Sequence, residues 1–495
     1  MKNNLLKTEK MMTVVENTIV NGVTKFSTYG SAKHKFRNKF VALFVCMFLF
    51  GTANGLAQRI WNVNDWNNFA NNPNQFSSWE LMADIGPVNQ MVAVPFTGSF
   101  NGNNLRITAN INSNAPNVGL FSELAGGAIY NLVLAGSVIG GSNSQYVGGF
   151  AGLISSQSNS YLGLLTNLAE VTGNASFSHV GGIAGAIITE SPIGISHFAN
   201  NGTITGGFAV GGIFGSISTP TALPSHGIQI KILKNAGTIK SNEDATPNYM
   251  AGIVGYVDII SEGLAGVYQT TNIGKVLSSK SMYSGGIVAF LTGTNNTFTI
   301  CHLNSGLVDG ATISSGGIVG HLSNSTSIYD CINTNWVAGT APNSGSIVGF
   351  NEDITNSNIA SSFYDNQMSV VGAINNVDVL GIAEGIITND MLGVNLQPLL
   401  QYVIWNVWRF QANLYPRLDE WDNHPIDLLS AAPIYLQNGE RLDNVQTNFF
   451  VSNFNQWIPP WIIPPPYVYQ WESFNGNVVN IPLSPSNNVN IVGWT

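Results

Sequence analysis

A short phrase of glycine and aliphatic residues recurs eight times through the middle of the chain and restricts its fold more than any other feature. The copies are NVGLFSEL from Asn117, VGGFAGLI from Val147, VGGIAGAI from Val180, VGGIFGSI from Val210, MAGIVGYV from Met250, SGGIVAFL from Ser284, SGGIVGHL from Ser315 and SGSIVGFN from Ser344. Their third positions are Gly119, Gly149, Gly182, Gly212, Gly252, Gly286, Gly317 and Ser346, at intervals of 29 to 40 residues. A period in that range marks a solenoid, propeller or array, each repeat being one unit stacked on its neighbours. Propeller blades have four strands and run to about 40–50 residues. Glycine at this density would ruin helices. Two strands and two turns per repeat fit one coil of a right-handed parallel β-helix. About eight coils, each adding about 4.8 Å, would make a rod near 40 Å long.

If the phrase is one strand, its even positions share a face. In the copy at Val180 these are Gly181, Ile183, Gly185 and Ile187. The fifth position is also apolar (Ala151, Ala184, Phe214, Val254), so cover is expected on both faces, as in parallel sheets. A second signal places Asn167, Asn200, Asn235, Asn272, Asn304 and Asn333 once per repeat, mostly in N-x-G. Asparagine tolerates turn geometry, and stacked copies can form an amide ladder. A row of ligand-binding amides is the functional alternative.

Residues 1–57 have the order of a secretory signal: a basic cluster (Lys33, Lys35, Arg37, Lys39), an apolar run from Phe40 to Phe50, then Gly55-Leu56-Ala57. The run is too short to span a bilayer, which takes roughly 20 apolar residues. Cleavage near Ala57 is expected, with no stable membrane insertion afterwards. The residues beyond Ala57 carry a formal net charge of −15. No arginine lies between Arg106 and Arg409. Nucleic acid needs a basic stripe and is disfavoured as a partner.

Cys301 and Cys331 lie 30 residues apart, one repeat, in similar contexts. Stacked rungs would bring them to roughly 5 Å, within disulfide range. A disulfide is one expectation. Two buried thiols are the other, since parallel side chains on neighbouring strands do not favour disulfide torsions.

These phrases resemble the GLUG-motif repeats of large bacterial surface and secreted proteins, named for a Gly-Leu-x-Gly core. IWNVNDWNNFA from Ile60 and FTGSFNGNNLRITANI from Phe96 resemble the segment that precedes such repeats. SSFYDNQMSVVG from Ser361, IITNDMLG from Ile386 and WNVWRFQANLYPRL from Trp405 resemble the segment that closes them. The resemblance covers about residues 60–418. It implies an exported, surface-associated β-helical module of a bacterium. Related repeats occur in adhesin-like proteins and beside the protease domain of immunoglobulin A1 peptidases. The HExxH signature of those proteases is absent here.

The chain thus divides into a signal peptide (1–57), a capping segment (58–116), the repeats (117–351), a closing segment (352–418), a linker (419–427) and a small β-sandwich-like domain (428–495), expected to be incomplete. Asp419, Glu420, Asp422, His424 and Asp427 are assigned to a solvated linker because calcium-loop spacing is absent. Trp457, Trp461, Tyr467, Tyr469 and Trp471 cluster among prolines. They are candidates for ligand contact, with core packing as the alternative.

No nucleophile elbow, Walker loop, G-x-G-x-x-G or CxxC occurs. The acid pairs Glu243-Asp244 and Glu352-Asp353 alternate faces in any strand and are assigned to turns. His321, at a seventh phrase position, is assigned to the surface. No catalytic, metal or cofactor residue is assigned and no cofactor is expected. The expectation is a non-catalytic, monomeric, extracellular or cell-surface module contacting a glycan or a host or matrix protein. A polysaccharide lyase or glycoside hydrolase, and an accessory region of a larger secreted protease, are the alternatives.

Overall fold

The computed structural model describes residues 57–418, apart from short segments at 157–160, 192, 223–225, 243–247, 261–263, 279, 295–296, 325, 340, 353–357 and 401–406, and the backbone of a hairpin at 468–472 and 478–482. The signal segment, the linker, Glu243-Asp244, Asp353, Trp457, Trp461 and Tyr467 lie outside the described residues. So do the side chains of Tyr469 and Trp471, which belong to the hairpin strand Val468–Glu472, antiparallel to Val478–Pro482. Among the described residues no helix is long and apolar enough to cross a membrane.

The repeats form a parallel β-solenoid. Three sheets run along it, here numbered I to III. Sheet I has 18 strands, and sheets II and III have eight each, one from every phrase. Each strand pairs in parallel with its counterpart one repeat away, as Val180 does with Val147 and Val210.

The phrase is not a single strand. In the copy at Val180, His179–Gly181 belongs to sheet II and Ala184–Thr189 to sheet III, with a bend at Gly182 and Ile183 between them. The bend is sharp enough to bring backbone against backbone on its outer side. A Cβ on Gly181 would lie 2.2 Å from the carbonyl oxygen of Ala184, and one on Gly185 would lie 2.4 Å from the backbone nitrogen of Val147. Glycine is needed there for close approach. The two arms of the bend therefore cover each other from outside. The fifth-position residues point inward: Phe214 is fully buried and meets Phe198 of sheet I at 5.8 Å between ring centres.

The asparagines stack as a continuous ladder. Each amide nitrogen donates to the oxygen of the next, from Asn167 through Asn200, Asn235, Asn272 and Asn304 to Asn333, at 2.8–2.9 Å. Each also donates to the carbonyl two residues ahead and accepts from an N–H there, as Asn235 does with Gly237 at 3.1 and 3.2 Å. The ladder is buried at every step. It also explains the third phrase position. A Cβ on Gly182, Gly212, Gly252, Gly286 or Gly317 would fall within 2.7 Å of the amide of Asn200, Asn235, Asn272, Asn304 or Asn333 respectively. Glycine and asparagine are thus two halves of one contact. The last phrase has Ser346 because its coil offers Tyr364 where the asparagine would stand, and the Ser346 hydroxyl bonds Ser369 and the Val371 carbonyl instead.

Sheet I carries a second ladder. Asn131, Leu164, His197, Ile232, Gln269, Cys301, Asp330 and Ser361 all adopt left-handed backbone, with φ between 50° and 66°. Each precedes a residue that leads its strand back into the core: Leu132, Leu165, Phe198, Leu233, Thr270, His302 and Cys331 align in register, and the buried Ser362 follows Ser361. Tertiary stacking holds even a leucine and an isoleucine in a conformation that costs roughly 1–2 kcal/mol per residue.

This ladder corrects the disulfide expectation. The asparagines of this coil are 29 residues apart, Asn304 to Asn333, so cysteines 30 apart fall one residue out of phase. Cys301 stands at the left-handed position, whose counterpart is Asp330, while Cys331 aligns with His302. One residue along a strand reverses the face. Cys331 accordingly packs in the main core, Cys301 in a separate cluster beneath the closing segment, and both are free thiols.

The start of the core and the outer side of sheet I are both covered. At the start, the helix Val63–Asn71 is capped by Asn62, whose side chain accepts the N–H groups of Asn64 and Asp65 at 2.9 and 3.1 Å. Its buried Trp66 and Phe69 pack edge-on against Phe121 at 6.1 and 5.9 Å. On the outer side of sheet I, Met391, Leu396, Val407, Trp408 and Leu418 fold over Ile300, Cys301, Leu303 and Ile332. The buried Asp365 carboxylate fastens this segment, accepting the Thr388 hydroxyl at 2.7 Å, the Gln367 N–H at 2.9 Å and the Tyr415 hydroxyl.

Candidate functional site

His302 and the asparagine ladder inside the coils are committed to the fold. His302 is fully buried, its ring nitrogens bonded to the hydroxyls of Thr270, at 2.7 Å, and Thr299. Burial lowers its pKa to about 3, so the ring is neutral. Burial, and then the neighbouring Asp330 carboxylate, push the Cys301 thiol well up. Burial chiefly raises Cys331 too. Neither sulfur is primed as a nucleophile, which requires a lowered pKa. Among the described residues no group of three or more His, Cys, Asp or Glu comes together as a metal site would require.

What reaches solvent is a row of rings along the outside of the phrase bend. The residue before the phrase supplies one side: Tyr146, His179, Tyr249 and Tyr283, aligned in sheet II. Phe208 replaces Ala209 there, lying between His179 and Tyr249 at 5.0 and 5.5 Å. The seventh phrase position supplies the other side: Tyr256, Phe290, His321 and Phe350, aligned in sheet III. The sides meet across the bend, Tyr249 to Tyr256 at 4.9 Å and Tyr283 to Phe290 at 5.3 Å. Tyr249 and Tyr283 stack at 5.6 Å, and His321 lies flat on Phe290 at 4.6 Å. The glycines beneath have no side chains, so these rings close the gap above them. They are half-buried, apart from His321, which is buried.

That placement corrects the assignment of His321 to an open surface. Burial lowers its pKa, opposed by the Glu352 carboxylate 3.6 Å from Nε2. Burial alone brings His179 down to about 4. Burial raises the phenols of Tyr146, Tyr249 and Tyr256, with Asp258 adding to the effect at Tyr256. The phenols of Tyr146, Tyr249 and Tyr256 therefore stay protonated, and both histidines are neutral at neutral pH. Two positions beyond the seventh runs a polar strip that includes Ser218, Asp258, Thr292, Ser323 and Glu352. The Ser323 hydroxyl donates to Glu352 at 2.5 Å. Neither sheet II nor sheet III contains a lysine or arginine.

The sequence carried a signal for this row: an aromatic residue just before a phrase and another seven residues on, as in Tyr249 with Tyr256 and Tyr283 with Phe290. It is recognisable only once the bend inside the phrase is known.

No protein-family model and no curated protein matches the chain. Among solved structures, the chain is similar to the crystal structure of a "putative immunoglobulin A1 protease from Bacteroides ovatus", with 18% identity over 74% of this chain and 93% of that one and a TM-score of 0.38. At that level the likeness transfers no activity.

Proposed function

We propose that this chain is a non-catalytic, exported, surface-associated module of the GLUG-repeat type, which contacts a glycan or a protein through the side of its β-solenoid. One observation supports this above the others: half-exposed aromatic side chains recur from coil to coil along the phrase bend, while the buried His302, Asp365 and asparagine side chains hydrogen-bond within the fold. Recurrence along a rod suits a ligand that is itself extended. Catalysis would call for convergent acid, base or nucleophile groups at one place.

The test is a glycan and matrix-protein array probed with the full chain, with a reducing-end assay on every glycan retained. Binding without release of reducing ends is expected. Turnover of any polysaccharide would overturn the non-catalytic reading, and retention of neither glycan nor protein would overturn the binding role.

A further inference from the structure

We propose that the aromatic row between sheets II and III is a binding track for an uncharged, extended polysaccharide lying parallel to the axis of the rod. This rests on the binding role proposed above and assigns it to one surface and one ligand class.

Three observations carry the assignment. The first is chemical pairing. Half-exposed rings (Tyr249, Tyr256, Tyr283, Phe290) run beside a strip of hydroxyl and carboxylate groups. Tyrosine offers an apolar body with a polar tip. A sugar ring presents the complementary combination, C–H faces rimmed by hydroxyl groups. The second is charge. Both sheets lack lysine and arginine, Asp258 and Glu352 sit in the polar strip, and the residues beyond Ala57 carry a net −15. Such a surface repels acidic polysaccharides and nucleic acid. The third is shape. The rings advance by one coil, about 4.8 Å, close to the advance of one sugar unit in an extended chain. The row is also narrow, because the rings face one another across the bend and are half-buried. A stable protein partner needs about 800 Å² on each side, which favours a linear polymer over a globular protein.

The row is densest where both sides are aromatic, at Tyr249, Tyr256, Tyr283 and Phe290, and interrupted where Ala186 and Ser216 take the seventh position. The last two coils have Ser314 and Asn343 before the phrase, so affinity should concentrate at Tyr249, Tyr256, Tyr283 and Phe290.

The experiment is isothermal titration of the full chain with three soluble neutral polysaccharides, galactomannan, xyloglucan and mixed-linkage glucan, and with alginate and hyaluronan as acidic ones. At least one neutral polymer should bind and the acidic ones should not. Replacing both rings in Tyr283→Leu with Phe290→Leu keeps apolar cover over the glycines but removes the aromatic rings. It should weaken binding about tenfold or more with the melting temperature unchanged. Should that double variant unfold, nitration of the native chain by tetranitromethane replaces it, with slower modification of Tyr249, Tyr256 and Tyr283 expected when the neutral polymer is present. Neutral binding that ignores both the variant and the tyrosines would overturn the track while leaving the binding role intact. Preference for acidic polymers, or retention of proteins alone on the array, would do the same. Binding to nothing would overturn both.

Discussion

Replacing Asn235 by alanine removes four hydrogen bonds from the middle of the ladder. Its amide donates to Asn272 at 2.8 Å and to the Gly237 carbonyl at 3.1 Å, and its oxygen accepts from Asn200 at 2.8 Å and from the Gly237 N–H at 3.2 Å. Three of the four partners keep another bond. Asn200 still donates to the Gly202 carbonyl, Asn272 still accepts from Gly274, and the Gly237 N–H still reaches the Asn200 carbonyl. At about 0.5–1.5 kcal/mol per bond, the loss is about 3 kcal/mol. Asn167 begins the ladder and receives no amide from an earlier asparagine, so it makes three of these bonds. Asn167→Ala should therefore cost about 1 kcal/mol less. Asn235→Asp keeps the acceptor but turns both donated contacts into oxygen facing oxygen, and should be at least as harmful as alanine. Long repeat arrays can unfold in stages, so amide exchange local to the ladder is a more direct readout here than a global midpoint. Amide hydrogen exchange at Gly202, Gly237 and Gly274 reports the opening free energy of the affected coils. A cost below about 1 kcal/mol, or equal costs at Asn235 and Asn167, would refute the ladder as a stabilising element.

Three further outcomes follow from the same geometry. His302 and His179 are held neutral in the fold with pKa values of about 3 and about 4, against about 6.5 when unfolded. The unfolded chain binds more protons in that interval, so each histidine should remove about 1.4 kcal/mol of stability per pH unit as pH falls below about 6.5. The loss should end near pH 4 for His179 and near pH 3 for His302. Denaturant titrations at pH 6.5 and 5.0 measure the slope, which His179→Phe should reduce; stability that rises with acid would contradict the reading. Trp66→Ala empties the plug at the start of the core and loses the indole bond to the Gln90 carbonyl at 2.8 Å, for about 3–5 kcal/mol. Exchange protection should fall first at Phe100 and Phe121, and uniform loss along the rod would contradict a local plug. Leu164 holds φ at 55° while 38% exposed, so Leu164→Asn should stabilise by about 1 kcal/mol, read as a raised melting temperature. A lowered one would show that the leucine contacts outweigh the backbone cost.

The β-solenoid and its asparagine ladder were legible in the residues because stacking repeats one environment per coil. Whatever suits that environment recurs, so eight glycine phrases and six asparagines announced both the period and the ladder. The bend inside the phrase was not legible. Gly-Gly followed by aliphatics reads equally as one strand with alternating faces, and only contact between the two arms shows why the glycines at second and sixth positions have no room for a Cβ. The cysteines are the two buried thiols that the sequence allowed, and the disulfide alternative failed for a related reason. Contacts in a solenoid depend on phase between coils, and an average spacing near 30 hides a coil of 29. The aromatic row was missed because its two sides belong to different sheets and meet only across that bend. The sequence by itself thus determined the repeat, its parallel stacking and its buried amides, which depend on residues recurring at like positions. Tertiary structure alone decided what lies between unlike positions: the thiols on opposite sides of sheet I, His321 buried among rings, and a ring-lined track where glycines let two sheets fold together.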